Sequence, residues 1–247
     1  MNRLNTAIKQ MPQKPKKYFV DHKSVLHLGG QSLFPSVGKQ EQRLDERKVA
    51  EEKRIELQGL SLLICAGVYK TGVDTELMIE TTKQIQNKKF LEIGCGCGAI
   101  SIYLAKNNKT GIAVDINELA VENTLKNCQL NNITNLQAQV SNVFENVKGK
   151  FDVIFCNPPY NEHDVRDNID RMFWDPQNSM KEQFFMTVKN HLKKTGSIYF
   201  GWADFADLNF EFPISLAKLY GFKLVKTYSR PSSCSSFRFI VFKFKLA

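Results

Sequence analysis

Apolar residues from position 89 onward fall into short runs, and longer stretches with helical spacing divide them. The runs Lys89–Ile93, Gly111–Asp115, Leu136–Val140, Phe151–Cys156 and Ser197–Trp202 are strand candidates. Between them, Ala99–Asn107, Glu118–Leu130 and Ser179–Leu192 repeat their apolar positions every three or four residues, as helices do. Strands that alternate with helices predict an α/β fold, a mostly parallel sheet with helices on both faces. The rhythm then breaks. A helical Ile214–Tyr220 leads into Phe222–Thr227, a Ser-rich turn and Phe237–Phe244. Two strands joined without a helix must run antiparallel, so a hairpin closes a sheet of seven strands.

Upstream the pattern is weaker. Residues 1–40 mix Pro, Lys, Gly and Ser and predict an arm, with short structure around Tyr18–Val20. Glu41–Arg54 is dense in mixed charge, with Leu44 and Val49 almost its only apolar residues, and predicts a solvated helix rather than a binding element. Residues 55–68 hold two apolar runs around Gln58-Gly59, a β-hairpin signal. Asp74-Thr-Glu76 then opens an amphipathic stretch through Met78, Thr82 and Ile85, with Asp74 as the expected N-cap. The expected division is a basic arm and charged helix over 1–50 and one main domain over 51–247, led by the hairpin 55–68.

Charge changes this picture more than overall composition does. Residues 1–40 carry seven Lys/Arg against Asp21 alone, and residues 212–247 carry seven with no acid. The middle, with 20 basic and 24 acidic residues, is net −4. Basic ends around an acidic centre suit an anionic macromolecule gripped from the periphery, or a solubilising tail. No apolar run is long enough to span a membrane and the N-terminus lacks a secretory h-region, so a cytoplasmic protein without a membrane partner is expected. The six cysteines form no Cys-x-x-Cys pair and no His stands at ligand spacing, so no metal is expected and reduced, buried thiols are.

Two segments carry chemistry. Glu92-Ile-Gly-Cys-Gly-Cys-Gly98 is a strand end running into a glycine turn that opens a helix. Glycine lets the backbone approach a ligand where a Cβ would collide. The spacing Gly94-x-Gly96-x-x-Ala99 also fits a dinucleotide fingerprint, which keeps a nicotinamide-dependent oxidoreductase open. Glu92 opposes it, because a carboxylate there repels a pyrophosphate but welcomes the ammonium of a sulfonium-bearing amino acid. Asp115 ends the second strand, where it can accept both ribose hydroxyl hydrogens or cap the helix that begins near Glu118. Ser141-Asn142-Val143 follows the third strand, in reach of an adenine amine.

The second segment is Asn157-Pro158-Pro159-Tyr160, delivered at the carboxyl end of the fourth strand. The Asn157 side-chain carbonyl and the Pro158 backbone carbonyl can accept both hydrogens of one –NH2 group. A nitrogen conjugated to a π system is a poor nucleophile. Two acceptors that draw its hydrogens out of plane raise its lone-pair character and favour the positive charge that develops during methyl transfer. Tyr160 can stack on the planar group.

With these motifs the chain resembles, over roughly residues 54–247, the class I methyltransferases that carry an Asn-Pro-Pro-Tyr motif, within them the HemK/PrmC-type glutamine methyltransferases and their small-domain relatives. The resemblance implies a Rossmann-like fold. It implies S-adenosylmethionine held by Glu92, Ile93, Gly94, Gly96 and Gly98, by Asp115 with Ile116, by Asn142 and Val143, and by Asn157. It also implies methyl transfer at Asn157–Tyr160 to a macromolecular acceptor, foremost a protein glutamine, with Thr71, Asp74 and Tyr160 against the substrate. Lys70-x-Gly72-x-Asp74 is similar to enzymes that methylate the exocyclic amine of adenine, so a nucleic-acid adenine stays open, as do a small amine or amide and a catalytically silent binding module. After Tyr160 the chain departs from the glutamine enzymes in a polar run, Asn161–Asp175, around Met172-Phe-Trp174.

Overall fold

A computed structural model describes the backbone at residues 27–28 and 31–32, and residues 37–233 and 237–247 in full. The expected arm, the short structure around Tyr18–Val20 and Cys234 lie outside the described residues, except for a two-rung ladder between β1 (His27–Leu28) and β2 (Gln31–Ser32). Among the described residues the first helix is α1, Val37–Lys48. A hairpin follows, β3 (Lys53–Leu57) and β4 (Leu60–Ile64), then α2 (Val73–Thr82).

The alternating core runs β5 (Lys89–Ile93), α3 (Ala99–Ala105), β6 (Thr110–Asp115), α4 (Glu118–Leu130), β7 (Leu136–Val140) and β8 (Phe151–Cys156). It ends with α5 (Ser179–His191), β9 (Leu192–Ala203), α6 (Glu211–Leu219), β10 (Phe222–Pro231) and β11 (Arg238–Leu246). The seven-stranded sheet has the order β10-β11-β9-β8-β5-β6-β7. Strands β5 to β9 pair in parallel, and β11 lies antiparallel between β9 and β10, as expected of the closing hairpin.

Strand side chains alternate across the sheet and so feed two cores. Phe90, Ala113, Val153, Phe155, Tyr199 and Val241 face the hairpin, α2, α3 and α4. Leu91, Ile93, Ile154, Phe200, Trp202 and Phe242 face α5 and α6.

The hairpin is tighter than the expected span 55–68. Gln58 and Gly59 form its two-residue turn with φ of 50° and 74°, the left-handed pair a type I′ turn needs. What fixes it to the domain is a row of asparagines on one face of α4. Asn131 Oδ1 accepts from Ser61 N at 3.1 Å, Asn127 Oδ1 from Leu63 N at 2.7 Å and Asn123 Oδ1 from Cys65 N at 3.0 Å, while their amide nitrogens donate to Ser61 and Leu63 carbonyls. Spaced four residues apart, the three side chains stand in for a neighbouring strand along the free edge of β4.

Helix α1 is displaced from the expected Glu41–Arg54 and is not a merely solvated element. Leu44 is fully buried. Arg47 donates to the carbonyls of Val68 (2.8 Å), Ile64 (3.4 Å) and Cys65. Lys48 pairs with Asp170 and Asp167, and Asp45 with Arg166. The mixed-charge run is a two-sided clamp, with one row of charges on the 64–68 turn and another on the loop after β8. Periodicity registers only its scarcity of apolar residues.

Candidate active site

The direction of strand order reverses between β5 and β8, and open α/β sheets bind ligands outside the carboxyl ends of strands at such a point. A cavity of about 480 Å³ opens there. Every residue expected at the site lines it except Gly98: Glu92, Ile93, Gly94, Gly96, Asp115, Ile116, Asn142, Val143, Asn157–Tyr160, Thr71 and Asp74. Gly98 sits one layer behind as N-cap of α3. Its φ is 80° and a Cβ there would lie 2.7 Å from Thr124, so the turn admits nothing larger.

The glycine turn is strung between neighbours. Gly94 N and Cys95 N donate to the Val114 carbonyl, Gly96 N donates to Asp115 Oδ2 at 2.9 Å, and Asn127 Nδ2 holds the Cys97 carbonyl at 2.9 Å. Cys95 and Cys97 are buried, and burial pushes the Cys97 thiol up to about 12, which keeps it protonated. Asp115 does not cap the following helix. Asn117 does, its side chain accepting from Leu119 N at 3.1 Å. The Asp115 carboxylate instead bonds Gly96 N and Asn117 N along the cavity wall, and burial raises its pKa.

Glu92 is 1% exposed. Its Oε2 accepts from Ser101 N at 3.0 Å and from Ser101 Oγ. Burial outweighs those bonds and lifts its pKa to about 8. Val143 holds a φ of 49°, a costly conformation for a β-branched residue, supported by Ser141, whose Oγ donates to the Val143 carbonyl. Asn142 Nδ2 donates to Glu145, which leaves its carbonyl as the available acceptor.

At Asn157 the structure supplies what the sequence motif lacks. Asp74 is not an N-cap; Gly72 occupies that position and Asp74 lies one residue inside α2, 3% exposed. Its Oδ2 accepts from Asn157 Nδ2 at 2.7 Å and from the Tyr69 hydroxyl at 3.0 Å. A carboxylate can only accept, so it pins the amino half of the Asn157 amide and fixes where the carbonyl points. Asn157 Oδ1 accepts from the Tyr160 hydroxyl at 2.8 Å, so Tyr160 contributes a donor as well as a ring face. Burial and the nearby Asp74 hold the Tyr69 and Tyr160 hydroxyls well above their ordinary pKa, so both remain donors. Asp74 Oδ1 is buried without a hydrogen-bond partner.

The Asn157 side chain fits because residue 201 on β9 is glycine: a Cβ there would stand 2.2 Å from Asn157 Oδ1. Phe205 and Phe239 pack around the Tyr160 ring at 5.5 and 6.2 Å. The loop after Tyr160 returns over the site. Asp175 N donates to the Asn161 carbonyl at 2.9 Å, and Asp175 forms a wholly buried ion pair with Lys181. That loop brings Arg171, Met172 and Phe173 to the cavity, and α1 adds Gln40 and Arg43. Sequence reasoning missed these residues. Only Tyr69, five residues before Asp74, stood near enough to a motif to be found.

The residues present fit S-adenosylmethionine: a positive-φ glycine turn for close approach, carboxylates at Glu92 and Asp115 for a cationic amino-acid end and a ribose, and a cavity wide enough to share with an acceptor. The methyltransferase small domain family matches residues 60–220. A Methanocaldococcus jannaschii protein named for protein N5-glutamine methylation is 38% identical over 151 residues, covering 58% of this chain and 76% of its own length. The release factor glutamine methyltransferase of Fusobacterium nucleatum is 29% identical over 71% of this chain and 59% of its own. The ribosomal RNA small subunit methyltransferase C of Pseudoalteromonas translucida is 31% identical over 53% of this chain and 37% of its own. The chain thus spans only part of the length of the last two. Among solved structures, the tRNA m1G37 methyltransferase of M. jannaschii superposes with a TM-score of 0.59 at 19% identity, over 79% of this chain and 56% of that one. Ribosomal protein L11 methylase of Lactobacillus delbrueckii gives 0.57 at 16%, over 72% and 81%. The chain belongs to the methyltransferase small domain family and is an S-adenosylmethionine-dependent methyltransferase.

Proposed function

We propose that this enzyme methylates the nitrogen of a planar –NH2 group, with a protein glutamine side chain as the acceptor. The observation that carries the reading is the Asp74–Asn157 bond, which fixes an amide carbonyl as a hydrogen-bond acceptor inside the cavity of the glycine turn.

Asn157 Oδ1 takes one substrate N–H on its second lone pair, or exchanges the Tyr160 hydroxyl for it, and the Pro158 carbonyl takes the other. The Tyr160 ring, braced by Phe205 and Phe239, flanks the plane of the acceptor. Bound at the glycine turn, S-adenosylmethionine supplies an electrophilic methyl on a sulfonium sulfur. Transfer would form the N–CH3 bond as the C–S bond breaks, with S-adenosylhomocysteine as the leaving group, and the proton made acidic on the nitrogen would pass to solvent. Asp115 would hold the ribose, Asn142 and Val143 the adenine, and Glu92, at the start of the glycine turn, the ammonium of the amino-acid end. Similarity to the two glutamine enzymes supports glutamine over other acceptors. Similarity to the ribosomal RNA enzyme supports RNA as the acceptor in the second reading, with an exocyclic base amine such as that of adenine as the –NH2 group.

Incubation with methyl-labelled S-adenosylmethionine and separated protein, RNA and DNA fractions tests this. Label recovered as N5-methylglutamine is expected; label confined to RNA moves the reading to a base amine, identified by nucleoside analysis, and label in none of them overturns a macromolecular acceptor. Asn157→Ala should lower turnover by at least about 100-fold, the scale of losing one oriented dipole, with S-adenosylhomocysteine affinity by calorimetry nearly unchanged.

A further inference from the structure

The outer two strands carry lysines in an arrangement that the fold does not require. On β10 and β11, Lys223 stands directly opposite Lys245, and Lys226 opposite Lys243. Like charges facing each other across a sheet destabilise it. The second pair exists because of a bulge between Leu224 and Lys226. If Val225 took a regular rung opposite Lys243, Lys226 would face Phe242 on the core side; because Val225 is bulged out, Lys226 turns to the face of Lys243.

Protection of a sheet edge accounts for lysine on β10 but not on β11, which is interior between β10 and β9. Lys223, Lys226 and Lys245 are exposed and Lys243 half-buried, and none of the four pairs with a described carboxylate. Arg230, further along the same strand, shows the contrast: it is neutralised by Glu76 at 2.9 Å and Glu80 at 3.5 Å. Two lysines lie over tyrosine rings, Lys226 Nζ 4.6 Å from the centre of Tyr228 and Lys243 Nζ 5.3 Å from that of Tyr199. These cation–π pairs hold the ammonium groups up on the surface.

We propose that this block of four lysines is a docking surface for the phosphodiester backbone of RNA. Strands lie about 5 Å apart and alternate residues about 7 Å, so four cations crowd a patch small enough for consecutive phosphates. Uninterrupted positive charge beside an aromatic side chain suits a polyanion whose bound counterions are released on binding. The inference rests on reading the acceptor as macromolecular, and it holds whether the methylated nitrogen belongs to the RNA or to a protein carried on it.

The test is fluorescence anisotropy of a labelled single-stranded RNA of mixed sequence with the full chain. The variant Lys223→Gln/Lys226→Gln/Lys243→Gln/Lys245→Gln is compared with a control in which the exposed Lys53, Lys88, Lys109 and Lys150 become Gln. The first should bind at least about tenfold more weakly near 0.1 M salt, and its log K against log salt slope should fall by about 0.7 for each phosphate no longer neutralised. Its thermal midpoint should rise by about 1–4 °C as the facing charges are removed. Equal weakening in the control would overturn the proposal, because net charge alone would then explain binding. Competition by polyglutamate as strong as by unlabelled RNA would overturn it in favour of an acidic protein. A lower midpoint in the first variant would mean that the lysines hold the sheet together, which also overturns it. S-adenosylhomocysteine affinity by calorimetry should be the same in the wild type and both lysine variants. The fraction that carries transferred methyl is read in the separate labelling assay, so failure of the docking surface and failure of the transfer reading are told apart.

Discussion

At the scale of single residues, the site is organised around one carboxylate that the motif does not contain. Asp74 reaches Asn157 across 83 positions of sequence and fixes the nitrogen half of its amide, leaving the oxygen toward the Tyr160 hydroxyl. Asp74→Ala should therefore lower kcat by about 100-fold although Asn157 is intact, and calorimetry should find the S-adenosylhomocysteine affinity little altered. Glu92 predicts a pH dependence. Its folded pKa is about 8, because burial disfavours the charge, while its ordinary value is 4.5. Between those values the folded protein keeps a proton that the unfolded chain has lost, so stability falls as pH rises through that window. The thermal midpoint of the cofactor-free wild type should drop from pH 5 to pH 8.5 more than that of Glu92→Gln. A cationic cofactor end favours the ionised carboxylate, so calorimetry near pH 7 should record proton release on S-adenosylmethionine binding. Asn157 and Glu92 are legible in sequence because each sits in a short motif at a strand end. Asp74 reads locally as a cap, and its bond to Asn157 stays hidden because that residue arrives from the end of β8, 83 positions away.

At the scale of elements, the alternation of strands and helices is readable to within about two residues from β5 to β8, because strand runs and helical spacing are periodic and local. By contrast, β9 begins at Leu192 rather than Ser197 and β10 runs on to Pro231 rather than Thr227. The errors fall where a segment depends on partners far away. The Asn123, Asn127 and Asn131 row looks like ordinary polar decoration of α4, yet it supplies β4 with the hydrogen bonds that a sheet neighbour would give. Asn127→Leu would leave Leu63 N and the Cys97 carbonyl without these partners. A cost of about 3 kcal/mol is expected, seen as a fall of about 6–12 °C in thermal unfolding. Because Cys97 belongs to the glycine turn, cofactor affinity should weaken in the same variant.

At the scale of the whole molecule, the clamp by α1 ties the front of the chain to both rims of the cleft. Arg47 serves the 64–68 turn, while Lys48 and Arg166 hold the carboxyl of Asp170 well below the usual range despite its burial. Arg47→Met should speed amide exchange over residues 37–48 by at least about tenfold and leave β5 to β9 protected, since only the anchoring of α1 is weakened. The charge-rich composition that makes this helix read as merely solvated is what lets it bind without an apolar face.

A lone hydrogen on β9 carries a consequence of another kind. Any carbon at position 201 would evict the Asn157 oxygen from its seat while disturbing neither the glycine turn nor Asp115. Such a chain would remain a folded carrier of the cofactor, saturable yet idle. In a relative that keeps all four letters of the loop after β8, a side chain at this position is expected to abolish transfer while calorimetry still records cofactor binding.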